Sequence, residues 1–155
     1  MEDVLAWVEG LRLVQYLRFG KWGYAVVNTS HVFGIALLVG AILPLDLRLM
    51  GAWRLTPRRE LARVLVPVAA TGLAIAVTAG VLLFSVKARD YVDHELMQLK
   101  LVLVAVGASA AILLHARFGW LMEGASDRRL AVHGALSLAC WTGALVCGRL
   151  IAFFD

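Results

Sequence analysis

Apolar positions fall in four long runs separated by short polar stretches. The first covers about residues 24–47. The second runs from Arg63 to Lys87 with no charge inside it, the third covers 96–117, and the fourth covers 129–153. Each has at least the roughly 20 residues that cross a hydrocarbon core at about 1.5 Å per residue. Backbone polar groups in lipid must be satisfied within the segment, so each run predicts a helix, the β-branched "VTAGVLLF" included. Neighbours joined by short loops predict an all-α membrane protein, an up-down four-transmembrane-helix bundle forming a single domain over 1–155. The pattern before the first run is different. Over residues 2–19, Val4, Trp7, Val8, Leu11 and Val14 recur at helical spacing, while Glu2, Asp3, Glu9 and Arg12 fall elsewhere. That predicts an amphipathic helix lying in the membrane interface, with Trp22 and Tyr24 as aromatic anchors.

Composition agrees. The chain has 155 residues and is 61% apolar, against about 45–50% for a soluble domain; its mean hydropathy is +0.81. The net charge of +4 sits between the apolar runs, so it bears on orientation in the bilayer and not on nucleic acid. Loops one and three carry Arg48, Arg54, Arg58, Arg59, Arg63, Arg117, Arg128 and Arg129. The opposite side carries Arg12, Arg18, Lys21, Lys87, Arg89, Lys100 and Arg149, a near balance that the dense loop one tips. Loops one and three are therefore expected in the cytoplasm and both termini in the periplasm of a bacterial inner membrane. Charges throughout the first 23 residues leave no apolar core for a removable signal. Loop one holds Thr56-Pro57 as a helix start, and Ser126 or Asp127 is expected to cap the last helix. Cys140 and Cys147 share a helix face about 10 Å apart, too far for a disulfide to each other. Gly72, Ala76 and Gly80 form a ridge of small residues on the second span, and Gly107 and Ala111 do so on the third.

Ionisable groups inside a bilayer are costly and usually face the interior of a bundle. On the first span Asn28, His31 and Asp46 fall within about 60° of each other, as do Lys100 and His115 on the third. His133, Cys140 and Cys147 share a face of the fourth span, with Arg149 on another; Thr71, Thr78 and Ser85 form a stripe on the second. Four such stripes would make a polar centre in two layers. The outer layer would hold Asn28, His31, Lys100, Cys147 and Arg149, with His94 just above, and the inner layer Asp46, His115 and His133. Histidine is an axial ligand for haem iron, and bundle cores house cofactors. His31 is then a candidate ligand, with Lys100 or His94 opposite and Arg149 or Lys100 on the propionates. His115 and His133 would flank a second site. The structural alternatives are as concrete: His31 bonding Asn28 or Thr78 in the core, His115 and His133 as interfacial residues beside Arg117 and Arg129, Lys100 and Arg149 snorkelling outward, and Asp46 paired with Arg48 at a helix end.

The stretches "HVFGIALLVGAILPLDLRLMG", "ARVLVPVAATGLAIAVTAGVLLF", "LMQLKLVLVAVGASAAILLHAR" and "GRLIAFF" resemble a family of small four-helix bacterial membrane proteins. These are similar to the CopD copper-resistance membrane domain and, more distantly, to HemJ-type protoporphyrinogen oxidases. The resemblance covers about residues 24–153. In the HemJ-like group a histidine early in one helix and a lysine at the start of a later one carry the function, with haem b bound. By resemblance these match His31 in "SHVFG" and Lys100 in "QLKLVLV". The "Pro-Arg" stretch that follows the first helix in that group is only partly matched by "LPLDLRL", and the basic loop is shorter here. The CopD likeness implies copper handling. Copper(I) prefers thiolate and thioether ligands, and Met50, Met97 and Met122 form no Met-x-x-Met cluster. The expected function is haem-b binding for electron transfer in the bilayer, with copper handling or a cofactor-free accessory subunit as alternatives. The expected partners are lipid and a membrane redox protein or a second copy, with no nucleic acid.

Overall fold

The structure, a computed structural model, describes residues 2–154, with Glu2, Lys21 and Phe154 described by their backbone only. Met1 and Asp155 of the expected domain lie outside the described residues. Among the described residues all regular structure is helical: α1 (Glu2–Glu9), α2 (Arg12–Phe19), α3 (Lys21–Leu49), α4 (Arg58–Val86), α5 (Ala88–Val92), α6 (Glu95–Phe118) and α7 (Asp127–Phe154). Four of these are long and apolar enough to cross a membrane, over Trp22–Leu49, Arg58–Val86, Glu95–Phe118 and Asp127–Phe153. They mark an integral membrane protein. Each begins a few residues before the apolar run that predicted it, because helical hydrogen bonding continues into polar residues beyond the greasy core. Ser126 caps α7 through its Oγ, which accepts from the Arg129 N–H at 3.4 Å.

Two elements differ from expectation. The single helix expected over 2–19 is broken into α1 and α2 at Gly10–Leu11. Leu11 is extended (φ −61°, ψ 138°), and the Gly10 N–H ends α1 on the Ala6 and Trp7 carbonyls at 3.0 and 3.1 Å. Glycine is among the poorest helix formers, and here it terminates a short helix. The second difference is α5, a turn-and-a-bit of helix inside loop two.

Helix α3 is the hub. It packs along α4 on one side and against α7 on the other, while α6 packs on α7. The α3–α4 contact is a backbone-to-backbone crossing. A Cβ built on Gly72 would lie 2.5 Å from the Leu38 nitrogen, and one on Gly34 would lie 2.6 Å from the Ala76 nitrogen. The ridge expected on α4 therefore does pack closely, and Gly34 is its counterpart. On α6, Gly107 meets the Cys140 and Trp141 side chains; on α7, Gly134 meets the Asp46 carbonyl. Both cysteines are buried and free.

The Thr71/Thr78/Ser85 stripe does not contribute to a polar centre. Thr71 and Thr78 are exposed. Thr71 Oγ1 donates to the Pro67 carbonyl at 2.9 Å and Ser85 Oγ to the Val81 carbonyl at 2.7 Å. Hydroxyls satisfied by their own helix have no need of the interior, and the small-residue ridge takes the packing face instead.

The two ends of the bundle are closed in different ways. At the loop-one and loop-three end, Leu45, Leu49, Ala62, Val66, Leu114, Met122, Ala125 and Leu130 form one apolar cluster drawn from all four spans and the loop-three turn. At the other end Val14 and Leu17 of α2 bury against Val86 of α4. Glu9 fastens this corner: its Oε1 accepts the Arg89 backbone N–H at 3.1 Å, and its carboxylate faces the Arg18 and Arg89 guanidiniums at 3.8 Å each. Between these ends, no backbone packing joins α6 to α4 among the described residues. The long helices thus pack in the order α4–α3–α7–α6. Large apolar side chains such as Val102, Ile112 and Leu113 of α6 face outward, as contact with lipid requires.

Candidate functional site

The outer polar layer is built on α3 and α6, from His31 and Lys100. His31 projects from α3 across the face of α4 and is half-buried. Its ring occupies the notch left by Gly80, where a Cβ would stand 3.0 Å from the ring Cε1 and 3.3 Å from Nδ1. From there Nδ1 reaches the Ala76 carbonyl at 2.7 Å. A carbonyl oxygen only accepts, so Nδ1 carries the proton and donates. Nε2 is left as the free nitrogen. A backbone carbonyl on one ring nitrogen is the arrangement that orients an imidazole and raises the basicity of the other as a ligand. The predicted partners Asn28 and Thr78 are both exposed, and neither holds the ring.

Lys100 uses the same device on the opposite pair of helices. It is half-buried on α6, and its Nζ lies over Gly148 of α7, 3.3 Å from where a Cβ would be. It lies within electrostatic range of His31 and of Cys147. Among the described residues no carboxylate pairs with it. The two residues that the sequence placed at one depth thus lie within electrostatic range of each other, with no hydrogen bond between them. Each depends on a glycine that had another reading or none: Gly80 was assigned to packing, and Gly148 was not singled out.

Two buried polar nitrogens have no hydrogen-bond partner among the described residues. His94, the residue before α6, has its Nδ1 buried and unpaired, and so has the Nε1 of Trp141 on α7. Trp141 lies two helical turns before Gly148 on α7.

The remaining candidates do not join this centre. Arg149 is exposed, one residue beyond Gly148 and so turned about 100° away from the face that meets Lys100. His115 closes the end of α6, its Nδ1 3.3 Å from the Gly119 carbonyl and its ring tilted on Trp120 at 5.9 Å. His133 is half-buried on α7. No hydrogen bond or ring contact links His115 and His133 among the described residues. Asp46 is 4% exposed. Its expected partner Arg48 is turned into loop one, with Nε donating to the Thr56 carbonyl at 2.8 Å. Asp46 instead faces Ser137 of α7, and its Oδ2 has no hydrogen-bond partner.

No relative is found. No family model, no curated protein and no solved structure matches the chain. The functional reading therefore rests on the residues. Among the described residues no group of three or more His, Cys, Asp or Glu is placed to hold a metal ion. A porphyrin-bound iron needs less, because the macrocycle supplies four ligands and the protein only axial ones.

Proposed function

We propose that this chain binds haem b through His31 and carries single electrons within the bilayer. The observation that carries this reading is the Nδ1–H···O bond to Ala76, which fixes the His31 ring and leaves Nε2 as a ligand. Lys100 would help to hold the group, as a partner ligand or as a cation for its carboxylates, since its cationic end has no carboxylate of its own among the described residues. Bound haem would supply the one-electron couple; His31, Lys100 and the low-dielectric surround would hold it and tune its potential. The likeness of "SHVFG" and "QLKLVLV" to HemJ-type proteins points to the same two residues. Copper has less to hold it, since Met97 and Met122 are buried apart, at opposite ends of α6, and Met50 is exposed.

The surroundings fit an up-down bundle with loops one and three in the cytoplasm of a bacterial inner membrane and the haem layer near the periplasmic face. In that setting α1 and α2 lie in the interface, with the exposed Trp7, Trp22 and Tyr24 at headgroup level. The electron donor and acceptor are partners in the same membrane. The test is the haem content of detergent-purified protein from cells given ample haem precursor, measured by solvent extraction. Stoichiometric haem b supports the proposal. A colourless preparation refutes it.

A further inference from the structure

The face opposite the haem layer holds a cavity of about 670 Å³ between loops one and three. Five guanidiniums line it, from Arg48, Arg54, Arg58, Arg59 and Arg128, against two carboxylates, Glu123 and Asp127. The excess is three positive charges. Arg48 is held in place by the Thr56 and Arg54 carbonyls at 2.8 and 3.3 Å. Arg58 reaches Asp127 at 3.2 Å and Arg59 reaches Glu123 at 3.4 Å, which ties the two loops together across the cavity. Both pairs are open to solvent, the Asp127 side chain being 99% exposed. Exposed pairs of this kind hold weakly and yield to a stronger anion. Arg54 and Arg128 have no ion-pair partner among the described residues.

Backbone charge adds to this. Arg58 and Arg59 open α4, and Asp127 and Arg128 open α7, so two long helices present their N-terminal ends to one cavity. Pro57 gives α4 no side-chain cap, leaving its first N–H groups unpaired. Helix N-termini carry partial positive charge and bind phosphate. Arginine forks match phosphate oxygens in pairs.

From this geometry we infer a binding site for a multiply charged phosphate group in the loop-one and loop-three cavity. The ligand chemistry is two or more phosphate charges close together, carried by a lipid headgroup at the membrane surface or by a soluble phosphate compound. Basic cavities between the ends of transmembrane helices are a known setting for anionic headgroups. The site is independent of the haem proposal, and its residues are far from His31.

The experiment uses the full chain in mild detergent with two probes. One is inorganic pyrophosphate, followed by calorimetry. The other is a tetra-acyl diphosphatidylglycerol, followed by native mass spectrometry against phosphatidylcholine. The account predicts binding that weakens as salt rises. Pyrophosphate binding assigns a soluble source; binding of the lipid alone assigns the headgroup; both fit the inferred chemistry. Arg54→Gln with Arg128→Gln removes two unpaired guanidiniums and is expected to weaken binding roughly thirtyfold at an unchanged melting temperature. Glu123→Gln removes a competing carboxylate and is expected to tighten it, a change that partial unfolding does not imitate. Failure of both probes to bind, or equal binding by wild type and the double variant, overturns the inference.

Discussion

Replacing Gly72 with alanine adds one methyl group at the tightest point of the bundle. In the structure that carbon would stand 2.5 Å from the Leu38 nitrogen, 2.8 Å from the Gly34 carbonyl oxygen and 2.9 Å from the Leu37 Cβ. Two of the three obstacles are backbone, so no rotamer change relieves them. Ordinary contact begins at 3.4 Å, so α3 and α4 must part by about 0.9 Å, a gap that forfeits a quarter to a half of each dispersion contact along the seam. Overpacking of this kind costs about 1–3 kcal/mol, and a rigid double obstacle belongs at the upper end. Gly40 is the control on the neighbouring helix. A Cβ there meets nothing within 4 Å, so Gly40→Ala should be neutral or stabilising by up to about 1 kcal/mol, the difference in helix propensity. The assay is unfolding of each variant by dodecyl sulfate from mixed micelles, followed by tryptophan fluorescence and circular dichroism. The midpoint should fall for Gly72→Ala and hold or rise for Gly40→Ala. Equal midpoints, or a Gly72→Ala protein as stable as wild type, would refute the packing argument.

Three further outcomes follow from other parts of the fold. Leu17→Ala removes a residue only 5% exposed from the seam between α2 and α4; a loss of about 2–4 kcal/mol should undock the N-terminal pair. Trypsin would then cut at Arg12 and Arg18 faster while the core stays resistant. Asp46→Asn keeps the shape beside Ser137 without a carboxylate that can carry buried charge, and should stabilise the protein by about 1 kcal/mol, read as a higher unfolding midpoint; a clear fall would show that Asp46 holds a structural partner. Gly80→Val fills the notch under His31 and should push the ring off the Ala76 carbonyl. The haem spectrum should then shift or vanish although His31 is still present, and an unaltered spectrum would count against the notch.

The spans were legible because lipid leaves the backbone one solution: about 20 apolar residues must be helical whatever their propensities. The similar depth of His31 and Lys100 was also legible, since depth along a straight helix is simple arithmetic, and the two lie within electrostatic range. Other features needed the third dimension. Thr71, Thr78 and Ser85 look like an interior stripe by periodicity, yet the Thr71 and Ser85 hydroxyls bond their own helix and Thr78 is exposed. Gly34 reads as one more small residue until it is seen beside Gly72. The role of Glu9 depends on Arg89, 80 positions away, being brought near by α5. Asp46 beside Arg48 looks like a helix-end pair, but Arg48 finds loop-one carbonyls within reach and leaves Asp46 to Ser137. For the hydroxyl stripe and for Asp46, a nearer or better-aimed hydrogen-bond partner prevailed over the one that spacing suggested.

The central claim is that the His31 ring, anchored through Nδ1, offers Nε2 to haem iron. Its most direct test is the reduced-minus-oxidised optical spectrum of purified wild type and His31→Gly, each recorded with and without added imidazole. The account predicts a b-type spectrum in wild type, its loss in the variant, and its return when imidazole fills the cavity left by the ring. A wild-type spectrum that survives unchanged in His31→Gly, or a wild type without any haem band, would contradict it.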